Sequence, residues 1–163
     1  MSTVRDNPGV IAPPPLIALA VLVAGLLLDW LLPAYLLSVL LSWGTRILLG
    51  LELIGGGAAL IVIAMRAFRA AGTHVEPWKP STALVAGGLY AYVRNPIYVG
   101  MILILAGLAV LLASDWMLVL TIVVFIPAIH FGVVLREERY LAAKFGAPYR
   151  GYLQKVPRYG WPF

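Results

Sequence analysis

Four stretches of this 163-residue chain are apolar for long enough to cross a bilayer, and each is bounded by prolines, charges or turn residues. A helical crossing takes about 20 predominantly apolar residues. The first stretch runs over residues 16–32 after Pro13-Pro14-Pro15, and the second over 47–65 between Arg46 and Arg66. The third covers 96–113 from Pro96, and the fourth covers 116–135 from Trp116. Backbone in lipid must satisfy its hydrogen bonds within the segment, so each stretch reads as a helix. The expected fold class is an all-α integral membrane protein of four transmembrane helices, folded as a single domain over 1–163. Ser114-Asp115 is so short a turn that helices three and four form an antiparallel hairpin. Leu36 to Trp43 is too short to span and reads as an interfacial segment or an extension of a neighbouring helix. The first stretch ends in Asp29-Trp30 and Pro33 with no small-x-small site, so it reads as a mature helix and not a cleaved signal.

Charge fixes the orientation. Eleven of the twelve Lys and Arg residues fall on one side of this arrangement: Arg5, the 66–95 loop and the tail after Leu135. Only Arg46 falls on the other. The positive-inside rule makes the first side cytoplasmic, with both termini there. It also accounts for the net charge of +5 as topology and attraction to anionic headgroups, so the expected partner is the lipid bilayer and not nucleic acid. Trp30, Trp43 and Trp116 mark the outer interface, and Trp78, Tyr92 and Trp161 the inner one.

Hydrophobic residues make up 62% of the chain and charged residues 12%, far too little polar surface for a soluble domain of this length. With no cysteine there is no disulfide, thiolate metal site or cysteine nucleophile. Two histidines, His74 and His130, do not make a zinc site without carboxylates. Gly50 and Gly55-Gly56-Gly57 in the second helix read as close helix packing in lipid. Glu52 reaches the outer interface or pairs with Arg46, and Asp29 and Asp115 face water at outer helix ends.

The remaining polar residues concentrate in two cytoplasmic segments, about 72–98 and 136–158. The hairpin brings the start of helix three beside the end of helix four, so the two segments meet in one composite site. In the first, Asn95-Pro96 is an N-cap followed by a first-turn proline, and the free N–H groups there favour an anion. Arg94 either snorkels to headgroups or acts in the site. In the second, Glu137 and Glu138 precede Leu141 and Phe145, an i, i+4 apolar stripe that reads as a C-terminal interfacial amphipathic helix.

Taken together, Gly88-x-Tyr90, Arg94-Asn95-Pro96-x-Tyr98-x-Gly100, an apolar hairpin, and Glu137-Glu138-x-x-Leu141-x-x-x-Phe145-Gly146-x-x-Tyr149 resemble one family closely. The chain is similar to the isoprenylcysteine carboxyl methyltransferases, in particular to their short prokaryotic members; phospholipid N-methyltransferases are more distantly similar. The resemblance covers roughly residues 70 to 158, and Val156-Pro157-Arg158 also fits it. It implies an S-adenosyl-L-methionine site in the cytoplasmic half of a multi-pass protein of a bacterial or archaeal cell membrane. By that likeness Thr82, Ala83, Leu84 and Val85 line the cofactor, Tyr90 contacts it, and Asn95, Pro96, Ile97 and Tyr98 hold it at the helix start. Glu137 becomes the acidic cofactor contact. The chemistry of the ligand agrees: its carboxylate suits a helix start, its ammonium and sulfonium suit Glu137, and aromatic faces attract a sulfonium.

Two positions depart from the family. Asn95 stands where a histidine is usual and has no ring to titrate. Val133 stands where the eukaryotic enzymes carry a substrate-contacting arginine. The implied reaction is methyl transfer to a lipophilic or lipidated acceptor, foremost a carboxylate of the isoprenylcysteine type, which is already ionised and needs no general base. An amine or thiol acceptor, as in a phospholipid or small-molecule methyltransferase, needs one. The candidate catalytic residues are Arg94, His130 and Glu138. His130 lies in the fourth helix, seven residues before Glu137 and so on roughly the same face, whereas His74 reads as a structural or exposed loop residue. The alternative of another class is a non-catalytic membrane module that has kept the fold.

Overall fold

The computed structural model describes residues 6–160; Arg5 and Trp161, counted above, lie outside them. Among the described residues the chain is all helical. The elements are α1 (Pro14–Leu31), α2 (Leu36–Leu40), α3 (Trp43–Ala70), a 3-10 turn (Gly88–Ala91), α4 (Pro96–Leu112), α5 (Asp115–Phe145) and α6 (Ala147–Lys155). Three helices, α1, α3 and α5, are long and apolar enough to cross a membrane, and α4 is a shorter apolar helix.

α3 and α4 run antiparallel in close contact. A Cβ on Gly57 would stand 2.5 Å from the Gly100 carbonyl oxygen, and one on Gly50 would stand 2.8 Å from the Leu111 Cβ. Glycine at both crossings lets the backbones touch, which in lipid replaces the hydrophobic drive that water would supply. Gly55 and Gly56, on the other face, meet nothing within 4 Å. α1 packs instead on α5, with Gly25 against Met117. The core of Val21, Tyr98, Leu105, Phe125, Ile129, Val133 and Val134 lies between α1, α4 and α5. α1 makes no extended contact with α3, which leaves a cleft over α4.

α5 is longer than its apolar run. It continues without a break to Phe145, so residues 136–145 extend this helix and are not the separate interfacial helix expected there. Leu141 accordingly faces a cavity between protein segments. Gly146, with φ +63°, ends α5 and starts α6, whose Tyr149 is buried. Two π-helical segments interrupt α5, at Thr121–Phe125 and His130–Val134. The first lies just before Pro127, which has no N–H to give to a regular ladder.

The polar groups sit at two opposite ends of the bundle. At one, Asp115 is buried and accepts from the backbone N–H groups of Leu36 and Leu37 at 2.8 and 2.9 Å, capping α2. Asp29 accepts from the Ser114 hydroxyl, and the Trp116 indole donates to the Leu32 carbonyl. Asp29 and Asp115 therefore do not simply face water: the short turns of this end leave amide groups without helical partners, and these carboxylates take them. Glu52 is exposed and forms no ion pair with Arg46.

Candidate active site

The opposite end gathers the segments on either side of α4 and α5 into one cleft. It is lined by Ala83, Leu84 and Val85 from the loop, Tyr90 from the 3-10 turn, Arg94, Asn95, Ile97 and Tyr98 at the start of α4, and Glu137 and Glu138 from α5. The juxtaposition expected from the hairpin is present. Tyr98 donates a 2.7 Å hydrogen bond to Glu137 Oε1 across the two helices. Glu137 has no ion-pair partner among the described residues. A carboxylate in a protein cleft without a cation is an unmet demand for positive charge.

Glu138, its neighbour, is fully engaged. Arg158 grips it through Nε and Nη2, both at 2.8 Å, and Arg94 Nη1 lies 3.0 Å from Oε1. Two-point contact of this kind fixes direction as well as charge. The Arg94 backbone N–H donates to the Pro157 carbonyl at 3.0 Å, and the Asn95 side-chain amide donates to the Arg158 carbonyl at 3.1 Å. Asn95 occupies the N-cap position of α4 but does not cap it with its side chain; the amide instead ties down the segment that carries Val156-Pro157-Arg158. Glu138 and Arg94 thus form a clamp holding that segment against the cleft, and the carboxylate nominated as a general base has its oxygens turned to guanidinium groups.

Tyr90 is buried and held from two sides. Its ring meets Phe68 edge-on, with centroids 5.4 Å apart, and its carbonyl accepts from the Tyr152 hydroxyl at 2.7 Å. Burial pushes the Tyr90 phenol well above its ordinary pKa and pushes Tyr152 up to about 12, so both remain neutral donors and apolar faces at physiological pH.

Other nominated residues stand elsewhere. Thr82 shapes the loop, its N–H donating to Thr73 Oγ1 and its hydroxyl to the Gly72 carbonyl, and is not part of the lining. Pro96 is buried behind the lining. His130 shares a 2.8 Å hydrogen bond with the Tyr159 hydroxyl and does not reach the cleft. The π-helical segment at His130–Val134 holds an extra residue per turn, which rotates His130 away from the Glu137 face that a regular α-helix would give it. Val133 is fully buried in the core.

The roof of the cleft comes from the same two segments, with one addition from the amino-terminal end. Pro8, His74 to Pro77, Ser81, Tyr149 and Tyr152 also line the cleft. Tyr140 joins three segments: its hydroxyl accepts from Ser81 N–H at 3.1 Å, donates to Asp6 Oδ1 at 2.9 Å and accepts from Lys144 at 2.9 Å. Lys144 holds both Asp6 oxygens, at 2.7 and 2.8 Å. Further along, Arg136 donates to the Gly9 carbonyl, and Ile11 N–H donates to the Gly132 carbonyl within the π-helical segment. Residues 6–13 are thus strapped across α5. Of the roof, Pro8 and the strap carried no signal in the sequence, since the strap is held by backbone groups and by lone charges with no pattern, and His74, expected only as a structural or exposed loop residue, lines the cleft.

Comparison with known proteins agrees with the family resemblance. The family model described as phospholipid methyltransferase matches residues 45–148, more than half of the chain. Over 83 residues the chain is 36% identical to Protein-S-isoprenylcysteine O-methyltransferase of Schizosaccharomyces pombe, a match taking in 45% of this chain and 31% of that protein. The aligned part is thus less than a third of the relative's length. No solved structure matches the chain.

Proposed function

Because the chain belongs to the phospholipid methyltransferase family, we propose that it moves a methyl group from S-adenosyl-L-methionine to a lipophilic acceptor, most directly a carboxylate of the isoprenylcysteine type. The observation that carries this reading is Glu137: an acidic group without a cationic partner, oriented by Tyr98 and set in a cleft with Tyr90. The residues fit a cationic ligand. Glu137 would hold its ammonium, Tyr90 and Tyr98 would offer ring faces to its sulfonium, and Ala83, Leu84 and Val85 would border it. When bound, S-adenosylmethionine supplies a methyl group activated by positive sulfur. The chain's own work is to align the acceptor and exclude water, which is where most of the rate enhancement of such a displacement comes from.

In this reading α4 is the fourth crossing. Its 17 residues span about 25 Å at 1.5 Å each, pressed along the longer α3. The cleft then opens to the cytoplasm, where the Lys and Arg residues concentrate, and the acceptor comes sideways from the lipid. A carboxylate acceptor also suits the placement of the two nominated bases. Glu138 is clamped and His130 faces Tyr159, so an acceptor that is already ionised asks nothing of either.

The test is equilibrium binding of S-adenosylhomocysteine to detergent-purified protein, followed by a screen of extracted lipids, amines and thiols for uptake of radiolabelled methyl. Saturable binding that falls in Glu137→Gln supports the reading. A folded protein without binding would return the chain to a non-catalytic membrane module.

A further inference from the structure

The cleft leaves a cavity of only about 100 Å³, whereas a pocket that holds an organic ligand runs to about 300–1,000 Å³. Part of its lining must therefore give way before such a ligand enters. Two closures hold the lining together, and they are set at different depths. The clamp of Arg94, Arg158 and Glu138 is mostly buried, with the Arg94 and Glu138 side chains 10% and 13% exposed. The ion pair of Asp6 with Lys144 stands at the surface, at 60% and 28%. A pair so exposed does little to hold two segments together, whereas breaking a buried one on one side is costly. The closure at Asp6 is the one that can open.

Tyr140 is the post to which both halves of the roof are fastened. A phenol hydroxyl has one proton and two lone pairs, and here all three are in use. It donates to Asp6 on the strap, and it accepts from Lys144 and from Ser81 N–H on the loop that carries Ala83, Leu84 and Val85. Lys144 passes over the Tyr140 ring, 5.3 Å from its centroid, to reach Asp6. Beyond Asp6 the strap turns at Gly9, whose φ of +62° favours glycine, and the Asn7 side chain accepts from Gly9 N–H at 3.0 Å. That turn sets Pro8 in the cleft lining. From Gly9 onward the strap is fixed. Arg136 holds the Gly9 carbonyl, Ile11 N–H donates to Gly132, and the Ile11 side chain fills the space where a Cβ on Gly132 would stand. The strap is thus hinged at Gly9 and fastened at Asp6, with Pro8 over the cleft between them.

We propose that Asp6, Tyr140 and Lys144 form a latch that gates ligand exchange: closed, it holds Pro8 and the 81–85 loop over the cleft, and released, it lets both swing clear. This rests on the reading of the cleft as the cofactor site, and adds how that site admits and releases its ligand. None of the three residues lines the cleft, so the latch acts on the barrier and not on the bound state. Loosening it speeds entry and release by the same factor and leaves affinity as it was. A residue that holds the ligand itself, as Glu137 does in this reading, behaves otherwise: its loss speeds release alone and weakens affinity.

The experiment follows association and chase of radiolabelled S-adenosylhomocysteine on the full chain in detergent. Asp6→Asn should raise both rate constants about two- to fivefold, the range that one exposed ion pair allows, with Kd within about twofold of wild type. Tyr140→Phe, which frees the strap and the loop together, should raise both by roughly tenfold. The chain has no cysteine, so Asp6→Cys with Lys144→Cys can be joined by a short, reducible bis-thiosulfonate. Joined after loading, the pair should slow release by roughly tenfold or more, and reduction should restore it. Release from the joined protein at the wild-type rate overturns the latch. So does a loss of affinity in Asp6→Asn or Tyr140→Phe with association unchanged, which would make these residues ligand contacts. Absence of S-adenosylhomocysteine binding in wild type overturns the cofactor reading instead. The latch is then judged without ligand, by alkylation of Val85→Cys in the cleft, which adding Asp6→Asn should speed about two- to fivefold; equal alkylation rates overturn it.

Discussion

Glu137 and Glu138 are sequence neighbours with opposite surroundings, and substitution should separate them. Glu137→Gln removes a charge that faces the cleft, so S-adenosylhomocysteine affinity should fall about tenfold or more, the worth of one charge-assisted contact, with the melting temperature nearly unchanged. Glu138→Gln strips the anion from two guanidinium groups. Its main effect should be on stability, approaching about 3 kcal/mol as for a largely buried pair broken on one side, read by thermal melts in detergent. Equal and negligible effects on affinity would return Glu137 to a solvated helical turn. Arg94→Lys should also fail: its side chain is only 10% exposed, and a lysine offers a point charge where the clamp uses a fork. A folded Arg94→Lys variant with full methyl transfer would make Arg94 an interfacial anchor. At this scale Tyr90, Tyr98 and Glu137 were singled out by their spacing, and the structure brings the three into one cleft. Asn95 was only half legible: its place at the start of α4 was readable, but its amide partner lies 63 residues away on Arg158.

Among the elements, glycine placement in α3 makes the sharpest contrast. Gly57 touches the Gly100 carbonyl, whereas Gly55, two residues earlier, meets nothing within 4 Å. Gly57→Ala should force the helices apart at a cost of about 1–3 kcal/mol, the usual range for overpacking. Gly55→Ala should leave the melting temperature unchanged or raise it, since alanine favours the helix more than glycine does. Matched thermal scans decide it, and equal losses at both positions would mean that the α3–α4 contact is not where stability resides. Hydropathy located the helices because apolar length is a direct physical requirement of lipid. It did not find the end of α5, because continuation past residue 135 depends on packing under the roof and not on apolarity. Nor did it find the π-helical segments, which leave no mark in composition and which turn His130 toward Tyr159.

The whole molecule is closed by contacts between its ends and α5. The Asp6 carboxyl is held below its ordinary value, first by the hydrogen bond from Lys144 and then by that from Tyr140. A lowered carboxyl pKa means the strap's attachment is complete above the ordinary aspartate value of 3.8 and is lost as pH falls through the lower one. A spin label at residue 7 should therefore be immobile at neutral pH and mobile in acid, and Asp6→Asn should give the mobile spectrum at neutral pH. A label insensitive to both changes would show that the backbone bonds at Gly9 and Ile11 suffice. For topology, a reporter at the carboxyl terminus should read cytoplasmic and one inserted between Ser114 and Asp115 should read external, as the eleven-to-one distribution of Lys and Arg requires. A cytoplasmic reading between Ser114 and Asp115 with an external carboxyl terminus would leave α4 as a helix that does not cross.

The strap over α5 also sets an order of events during synthesis. Residues 6–13 leave the ribosome well before their seats at Gly132, Arg136, Tyr140 and Lys144, which are made more than a hundred residues later. At roughly 5–20 residues per second, the strap waits on the order of ten seconds for something to hold. Until then the nascent chain has its early helices but nothing strapped across α5.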